Sequence, residues 1–300
     1  MYKNLKNEQI ESIGGVLNDK NRPLKERFRA LFTLKSIGGE TAIKSIEKCF
    51  SDDSALLKHE LAYCLGQMQD ERALRVLINV LKDKKQEAMV RHEAAEGIGA
   101  IGKTDSLPIL EEYINDKSIE VVETCQLAIK RIKYLSSEKI PSTKSEFNSI
   151  DPTPSFNNKN EKIDDLRRIL LDPNEDLFER YQAMFSLRNL NSDDSIKVLC
   201  EGLNCDGALF KHEIAFVLGQ LRHPKSIEAL TKSLRDESEN EMVRHECAEA
   251  LGSIADEECF AVLKDYLNDS KRVVKESCII ALDMCEYENS PEFQYANFLD

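Results

Sequence analysis

The residues best suited to chemistry in this sequence are histidines that are followed directly by glutamate. Four of the five histidines occur in such pairs, and the fifth, His223, precedes a proline in an apparent loop. The pairs are His59 and Glu60, His92 and Glu93, His212 and Glu213, and His245 and Glu246. Imidazole with carboxylate suits iron, manganese or zinc, and does not suit copper(I) or an all-oxygen calcium site. The pairs therefore predict a metal site built from all eight side chains.

The regular placement of the pairs argues against a purely structural role. A lone histidine in a helical protein is usually a packed structural residue. Four in one phase of a repeat are difficult to explain by packing, because burying unpaired carboxylates is costly. The H-E-x-x-H pattern of zinc proteases is absent, since the second histidine is replaced by Tyr63, Glu96, Phe216 and Glu249.

Two further glutamates lie four residues after a paired histidine, and hence on the same helix face. Glu96 follows His92, and Glu249 follows His245. We predict that these carboxylates orient the imidazoles of a metal site. The alternative is a solvated charge or an ion pair with a neighbouring repeat, and the sequence leaves both interpretations open.

The pairs occupy a fixed position in an internal repeat. Alanines recur at Ala30, Ala62, Ala95 and Ala128, with steps of 32, 33 and 33 residues. The same series returns 153 residues later, at Ala183, Ala215, Ala248 and Ala281. The chain is therefore a duplicated block of four repeats, and the His-Glu pairs lie in the two central repeats of each block.

Each repeat has the apolar pattern of two helices. In the segment 73–83, apolar residues recur at helical spacing, and the segment 89–102 continues that period after a short polar break. No segment shows the sustained alternation that is typical of strands. Because such a helix pair cannot bury its own apolar face, we predict an all-α, HEAT-like solenoid of helical hairpins. We expect two halves of four repeats that face one another.

A stretch rich in serine, asparagine and proline separates the two blocks. It predicts an N-terminal four-repeat HEAT domain at 1–135, a flexible linker at 136–162 and a C-terminal four-repeat HEAT domain at 163–300 with a loose tail. The duplication offers the same set of side chains from each half. Halves that face one another would enclose about two metal ions between them.

The composition describes an acidic chain without a nucleic-acid-binding surface. The formal net charge is −13, and no basic stripe is present, so we exclude nucleic acid as a partner. No apolar run is long enough to span a membrane, and the first residues lack the apolar core of a secretory signal. The nine cysteines are odd in number and scattered, which predicts buried, reduced thiols. We expect a cytoplasmic protein.

The segments around the four pairs resemble the deoxyhypusine hydroxylase family. They are LKHELAYCLGQM (57–68), VRHEAAEGIGAIG (90–102), FKHEIAFVLGQL (210–221) and VRHECAEALGSI (243–254). The resemblance covers essentially both halves. It implies a non-haem di-iron monooxygenase with two iron ions per chain. Such an enzyme uses O₂ to hydroxylate the deoxyhypusine side chain of translation initiation factor 5A, which gives hypusine.

The resemblance also implies roles for the paired residues. All eight positions match the iron-site pattern of the family, with the four histidines as iron ligands and the glutamates divided between iron and the cationic substrate amine. Within that division we assign Glu93 and Glu246 to iron, and Glu60 and Glu213 to the amine. Two rival functions stay open: a non-catalytic HEAT-repeat scaffold with a structural metal ion, and a zinc hydrolase.

Overall fold

The structure is a computed structural model that describes residues 5–137, 147–156 and 162–290. In these ranges the chain forms sixteen α-helices and no β-strand, which confirms the all-α prediction. None of these helices combines the length and the apolar character needed to cross a bilayer. The first eight helices are α1 (Asn7–Asn18), α2 (Leu24–Ile37), α3 (Gly39–Lys48), α4 (Ala55–Gln67), α5 (Leu74–Lys82), α6 (Ala88–Ile101), α7 (Leu107–Glu112) and α8 (Ile119–Leu135). The others are α9 (Ile163–Leu171), α10 (Leu177–Leu190), α11 (Asp193–Gly202), α12 (Ala208–Leu221), α13 (Ile227–Arg235), α14 (Glu241–Ile254), α15 (Glu257–Asp265) and α16 (Arg272–Glu288).

Consecutive helices form the hairpins that the repeat predicts, and the second helices of adjacent hairpins pack side by side. Helix α4 packs on α6 and α6 packs on α8, while in the other half α12 packs on α14 and α14 on α16. The repeat alanines lie on these second helices; Ala62 and Ala95, for example, have no exposed surface. A methyl side chain at this position lets the helices approach closely over their whole length.

Local signals begin and end the helices that carry the His-Glu pairs. Ser54 is the N-cap of α4, because its side chain accepts a hydrogen bond from the backbone N–H of Leu57. Asn240 is likewise the N-cap of α14, because its side chain accepts a hydrogen bond from the backbone N–H of Met242. Helix α6 ends at Ile101, and the next residue, Gly102, has a left-handed backbone (φ 76°) that suits glycine. These ends fix which turn of each helix contains the pair.

A buried arginine joins the two helices of several hairpins. In each case the guanidinium Nε donates to a backbone carbonyl ten residues earlier, near the end of the first helix. The bonds are Arg27 to Leu17 (2.8 Å), Arg91 to Leu81 (2.9 Å), Arg180 to Leu170 (3.0 Å) and Arg244 to Leu234 (2.9 Å). The last carbonyls of a helix have no partner within that helix, so these bonds satisfy groups that burial would otherwise leave unpaired.

The described residues divide into two compact units, one ending at Ser137 and the other following it. Helix α8 ends at Leu135 and α9 begins at Ile163, which are the limits of the predicted linker. That the linker is flexible stays a prediction, and much of it, with the predicted loose tail from 291 onward, lies outside the described residues.

The described middle of the linker, which we call the docked segment (147–156), belongs to the second unit and makes specific contacts with helices α10 and α12 of that unit. Both carboxylate oxygens of Asp151 accept hydrogen bonds from the fully buried Arg188, at 2.8 and 2.6 Å. The amide of Gln220 donates to the Ser149 hydroxyl at 2.9 Å. A buried, bidentate ion pair of this kind holds the backbone around Asp151 in one place.

Most of the cysteines are buried, as the composition predicts, whereas Cys200 and Cys205 are only partly buried. All nine are free thiols, and seven of them are buried. Burial raises the pKa of Cys49 to about 11 and that of Cys125 to about 12, so both stay protonated at neutral pH. Neutral, buried thiols are poor nucleophiles and poor metal ligands, which leaves the histidines and carboxylates as the reactive groups.

Candidate metal centre

In the first unit, helices α4 and α6 bring two His-Glu pairs together. The Nε2 atom of His59 lies 3.3 Å from a carboxylate oxygen of Glu93. The imidazole ring centroids of His59 and His92 are 5.6 Å apart. One ligand atom from each of His59, His92 and Glu93 lies within 4.8 Å of the others. That grouping can hold a metal ion.

The grouping follows from the packing of neighbouring hairpins. Adjacent residues on a helix point about 100° apart, so a histidine and the glutamate after it face different neighbours. In this arrangement Glu93, on α6, reaches back to the histidine of α4. We call His59, Glu60, His92 and Glu93 the N-terminal half-site. It is shared between two repeats, and its dimensions depend on the spacing of α4 and α6.

The second unit repeats this geometry with α12 and α14. The Nε2 atom of His212 lies 3.3 Å from a carboxylate oxygen of Glu246. The ring centroids of His212 and His245 are 5.3 Å apart. These two distances are close to those in the first unit, so the duplication keeps the pairing of a histidine with the glutamate of the next hairpin. Each unit thus contains one half-site of two histidines and two glutamates.

Burial makes these half-sites unusual. All eight side chains of the four pairs are buried, and none of the residues is more than 7% exposed. Buried carboxylates need a compensating positive charge. Burial lowers the pKa of His59, but the carboxylates of Glu93 and Glu60 outweigh that effect and raise it well above its ordinary value. The carboxylates therefore favour positive charge at this position, and a divalent cation would satisfy them more fully than a proton.

Glu60 faces the opposite edge of the His59 ring from Glu93. A carboxylate oxygen of Glu60 lies 3.5 Å from Nδ1, whereas Glu93 lies beside Nε2. The two glutamates are thus inequivalent with respect to the imidazole. Glu213, the counterpart of Glu60 in the second unit, is also buried.

The two glutamates predicted to orient histidines lie partly buried on α6 and α14. A carboxylate oxygen of Glu249 lies 3.5 Å from Nδ1 of His245. The same oxygen accepts a hydrogen bond of 3.1 Å from the Ser277 hydroxyl on α16. Glu249 is therefore close to a ring nitrogen of His245. Glu96 has the equivalent position on α6, four residues after His92.

Sequence reasoning overlooked a basic residue immediately before each His-Glu pair. Each of these four side chains is directed to an acidic residue that lies 25 to 29 positions later in the chain. The ion pairs are Lys58 with Glu87 (2.6 Å), Arg91 with Asp116 (2.8 Å), Lys211 with Glu239, and Arg244 with Asp269 (2.6 Å). The sequence signal was present, because every His-Glu pair follows lysine or arginine.

The one histidine that is not followed by glutamate has a structural position, as its sequence context predicts. His223 precedes a short 3₁₀ turn, and its Nδ1 accepts a hydrogen bond of 3.2 Å from the backbone N–H of Lys225. Its other nitrogen lies 3.5 Å from a carboxylate oxygen of Asp193. His223 is therefore a turn-capping residue, and the four remaining histidines belong to the half-sites.

Comparison with known families agrees with the repeat architecture. The family described as HEAT repeats matches residues 44–130 and 196–283. The PBS lyase HEAT-like repeat matches residues 179–205. The matched HEAT segments contain all four His-Glu pairs and confirm the predicted HEAT-like fold.

Individual relatives are similar over nearly the whole chain. Deoxyhypusine hydroxylase of Drosophila melanogaster is 61% identical over 292 residues, which cover 97% of this chain and 96% of the relative. The human deoxyhypusine hydroxylase is 50% identical over 293 residues, covering 98% and 96%. A solved structure of the human enzyme in complex with glycerol has a TM-score of 0.91 at 50% identity and covers 94% of this chain and 97% of that one.

Proposed function

Because this chain belongs to the deoxyhypusine hydroxylase family, we propose that it is a non-haem di-iron monooxygenase that hydroxylates deoxyhypusine to hypusine. The substrate is the deoxyhypusine side chain of translation initiation factor 5A, and O₂ is the oxidant. The observation that supports this most directly is the duplicated half-site, in which the buried imidazoles of His59 and His212 each lie 3.3 Å from a carboxylate.

The donor set fits iron. Each half-site offers two imidazole rings and two carboxylates, which suit ferrous iron better than the softer or all-oxygen sites preferred by copper(I) and calcium. A half-site in each unit supports two ions per chain. When bound, ferrous iron with open positions supplies the site with the capacity to bind and reduce O₂.

The histidines and two of the glutamates would hold the metal. We propose His59, His92, His212 and His245 as iron ligands, together with Glu93 and Glu246. The contacts of Glu93 and Glu246 with Nε2 atoms support their part, since carboxylate and imidazole there converge on one point. Glu96 and Glu249 are proposed to orient His92 and His245, and the contact of Glu249 with Nδ1 supports that role.

The remaining two glutamates would bind the substrate. Deoxyhypusine carries a long, polyamine-like cation, and a carboxylate provides the complementary charge. We propose that Glu60 and Glu213 accept hydrogen bonds from this amine and so hold the reacting carbon in a fixed orientation. The position of Glu60 beside Nδ1 of His59, away from Glu93, supports a role distinct from that of Glu93.

Hypusine formation on translation initiation factor 5A tests the proposal directly. The metal-free protein is incubated with the deoxyhypusine form of the factor, O₂ and a reductant, with and without ferrous iron. We expect hypusine only when iron and O₂ are both present. Purified protein that carries zinc, is colourless and forms no hypusine would instead favour the scaffold or the zinc hydrolase.

Two associated expectations are part of the same proposal. The acidic composition and the lack of a basic stripe support a protein partner rather than nucleic acid. Cytoplasmic location and the facing arrangement of the two four-repeat domains, 1–135 and 163–300, stay predictions. Fractionation of cells with an antibody to the protein tests the first, and small-angle scattering of the iron-loaded protein tests the second.

A further inference from the structure

A serine of the last helix belongs to a chain of contacts behind one of the proposed ligands. Ser277, on α16, is fully buried, and its hydroxyl donates to the Glu249 carboxylate at 3.1 Å. The same carboxylate oxygen lies 3.5 Å from Nδ1 of His245. The contacts therefore run from α16 to α14 and end on the imidazole, on the side away from its Nε2 atom.

We infer that Ser277 is a positioning residue of the C-terminal half-site, which it serves by holding Glu249 behind His245. A carboxylate beside Nδ1 favours the tautomer with its proton on that nitrogen, and this leaves the Nε2 lone pair available to a metal ion. The inference rests on the proposed function, because it concerns the metal that His245 would bind.

The hydroxyl is needed because Glu249 is a long side chain near the edge of the site. Its side chain is 15% exposed, so solvent reaches part of it. Ordering such a long side chain costs rotamer freedom. A charge-assisted hydrogen bond from a buried hydroxyl offsets that cost and selects the rotamer that faces His245.

The first unit differs at the equivalent position. Thr124 stands 153 residues before Ser277, on α8, and its hydroxyl is buried without a hydrogen-bond partner among the described residues. The duplication therefore retained a hydroxyl-bearing residue in both halves, but only the hydroxyl of Ser277 is hydrogen-bonded. Ser277 thus supports its half-site in a way that Thr124 does not.

Metal binding by matched variants tests this. Ferrous or cobaltous ion is titrated into metal-free protein in competition with a chelator of known affinity, and a thermal melt of each metal-free variant checks its fold. We expect Ser277→Ala and Glu249→Gln to weaken one of the two sites by about tenfold and to leave the other unchanged. Thr124→Ala, the matched control, leaves both sites unchanged, and Ser277→Thr restores wild-type affinity because it keeps the hydroxyl.

The outcomes separate this inference from the proposed function. If the wild-type protein binds two ions and folded Ser277→Ala binds them equally well, Ser277 is not a positioning residue although the iron site stands. Equal weakening by Thr124→Ala overturns it too, since the two halves would then be alike. Wild-type protein that binds neither ion removes the proposed function and this inference with it. Should Ser277→Ala fail to fold, Ser277→Cys, which replaces the hydroxyl by a weaker donor of similar size, is measured in its place.

Discussion

Gly66 and Gly97 meet backbone to backbone where α4 packs on α6. A Cβ atom placed on Gly66 would lie 2.5 Å from the Cα of Gly97, which is closer than two non-bonded carbon atoms can approach. Gly66 lies about two turns after His59, and Gly97 follows His92 by little more than one turn. The absence of both side chains thus sets the spacing of the two helices that carry the N-terminal half-site.

Substitution of Gly66 by alanine should force α4 and α6 apart. Overpacking of this kind typically costs about 1–3 kcal/mol, and we expect a lower melting temperature together with weaker metal binding. Gly15→Ala is the matched control, because a Cβ there meets nothing within 4 Å in the described structure. A Gly66→Ala protein that matches wild type in both thermal unfolding and metal affinity would show that the helices have room to spare.

Removal of one proposed iron ligand should remove both metal and activity. We expect His92→Ala and His245→Ala each to lose the iron of its own half-site together with hypusine formation, because each proposed half-site takes its ligands from two helices. Iron per chain is measured by elemental analysis beside the activity assay. His223→Ala should retain both, since His223 caps a turn. Normal iron loading in either half-site variant contradicts the ligand assignment.

The ion pair of Arg91 and Asp116 should make part of the stability depend on pH. The guanidinium donates to both carboxylate oxygens, at 3.0 and 2.8 Å, and lowers the pKa of Asp116 to about 2. A folded-state pKa below the unfolded value of about 3.9 stabilises the protein above pH 4, and this contribution is lost as the pH falls toward 2. Between pH 5 and pH 3 it should decrease by about 1 kcal/mol.

Urea unfolding of wild type and Asp116→Asn at these two pH values measures that contribution. The variant should be less stable at pH 5 and should lose about 1 kcal/mol less than wild type on acidification. Asp53→Asn is a suitable control, because the Asp53 side chain is 78% exposed and its ion pair with Lys20 is longer, at 3.4 Å. Identical pH dependence of wild type and Asp116→Asn would mean that the pair contributes nothing.

Loss of the Arg188 charge should release the docked segment (147–156). Arg188→Met leaves the carboxylate of Asp151 without its buried partner, and breaking a buried pair in this way typically costs about 3–5 kcal/mol. We expect a lower melting temperature and new protease cleavage within 147–156. The double variant Asp151→Asn with Arg188→Met should recover part of the stability, because no unpaired charge remains. A single variant as stable and as protease-resistant as wild type argues that the contact is dispensable.

The sequence was sufficient to predict the all-α HEAT-like fold, because the repeat is visible in short segments of the chain. The apolar period of each helix depends on residues within one or two helical turns, and the alanine spacing, such as that of Ala62 and Ala95, recurs at a nearly constant step along the chain. The candidate ligands could be found for the same reason, since each pair consists of neighbouring residues at a fixed phase.

Contacts between distant residues could not be predicted in this way. Arg91 precedes a His-Glu pair, but its partner Asp116 lies in the loop of the next hairpin, where acidic residues are common. The contact of Asp151 with Arg188 escaped prediction because its surroundings have the serine- and proline-rich composition of a flexible linker. The hydrogen bond from Ser277 to Glu249 depends on how two helices stack, which no local pattern specifies.

The contact of His59 with Glu93, and that of His212 with Glu246, has a consequence for how the molecule could be divided. In both cases the imidazole and the carboxylate come from successive hairpins. A single excised hairpin would therefore contain the histidine or the glutamate of such a contact, but not both. The smallest piece that brings the imidazole and the carboxylate together is therefore two successive hairpins, so a change in the angle between the hairpins changes the distance between these side chains.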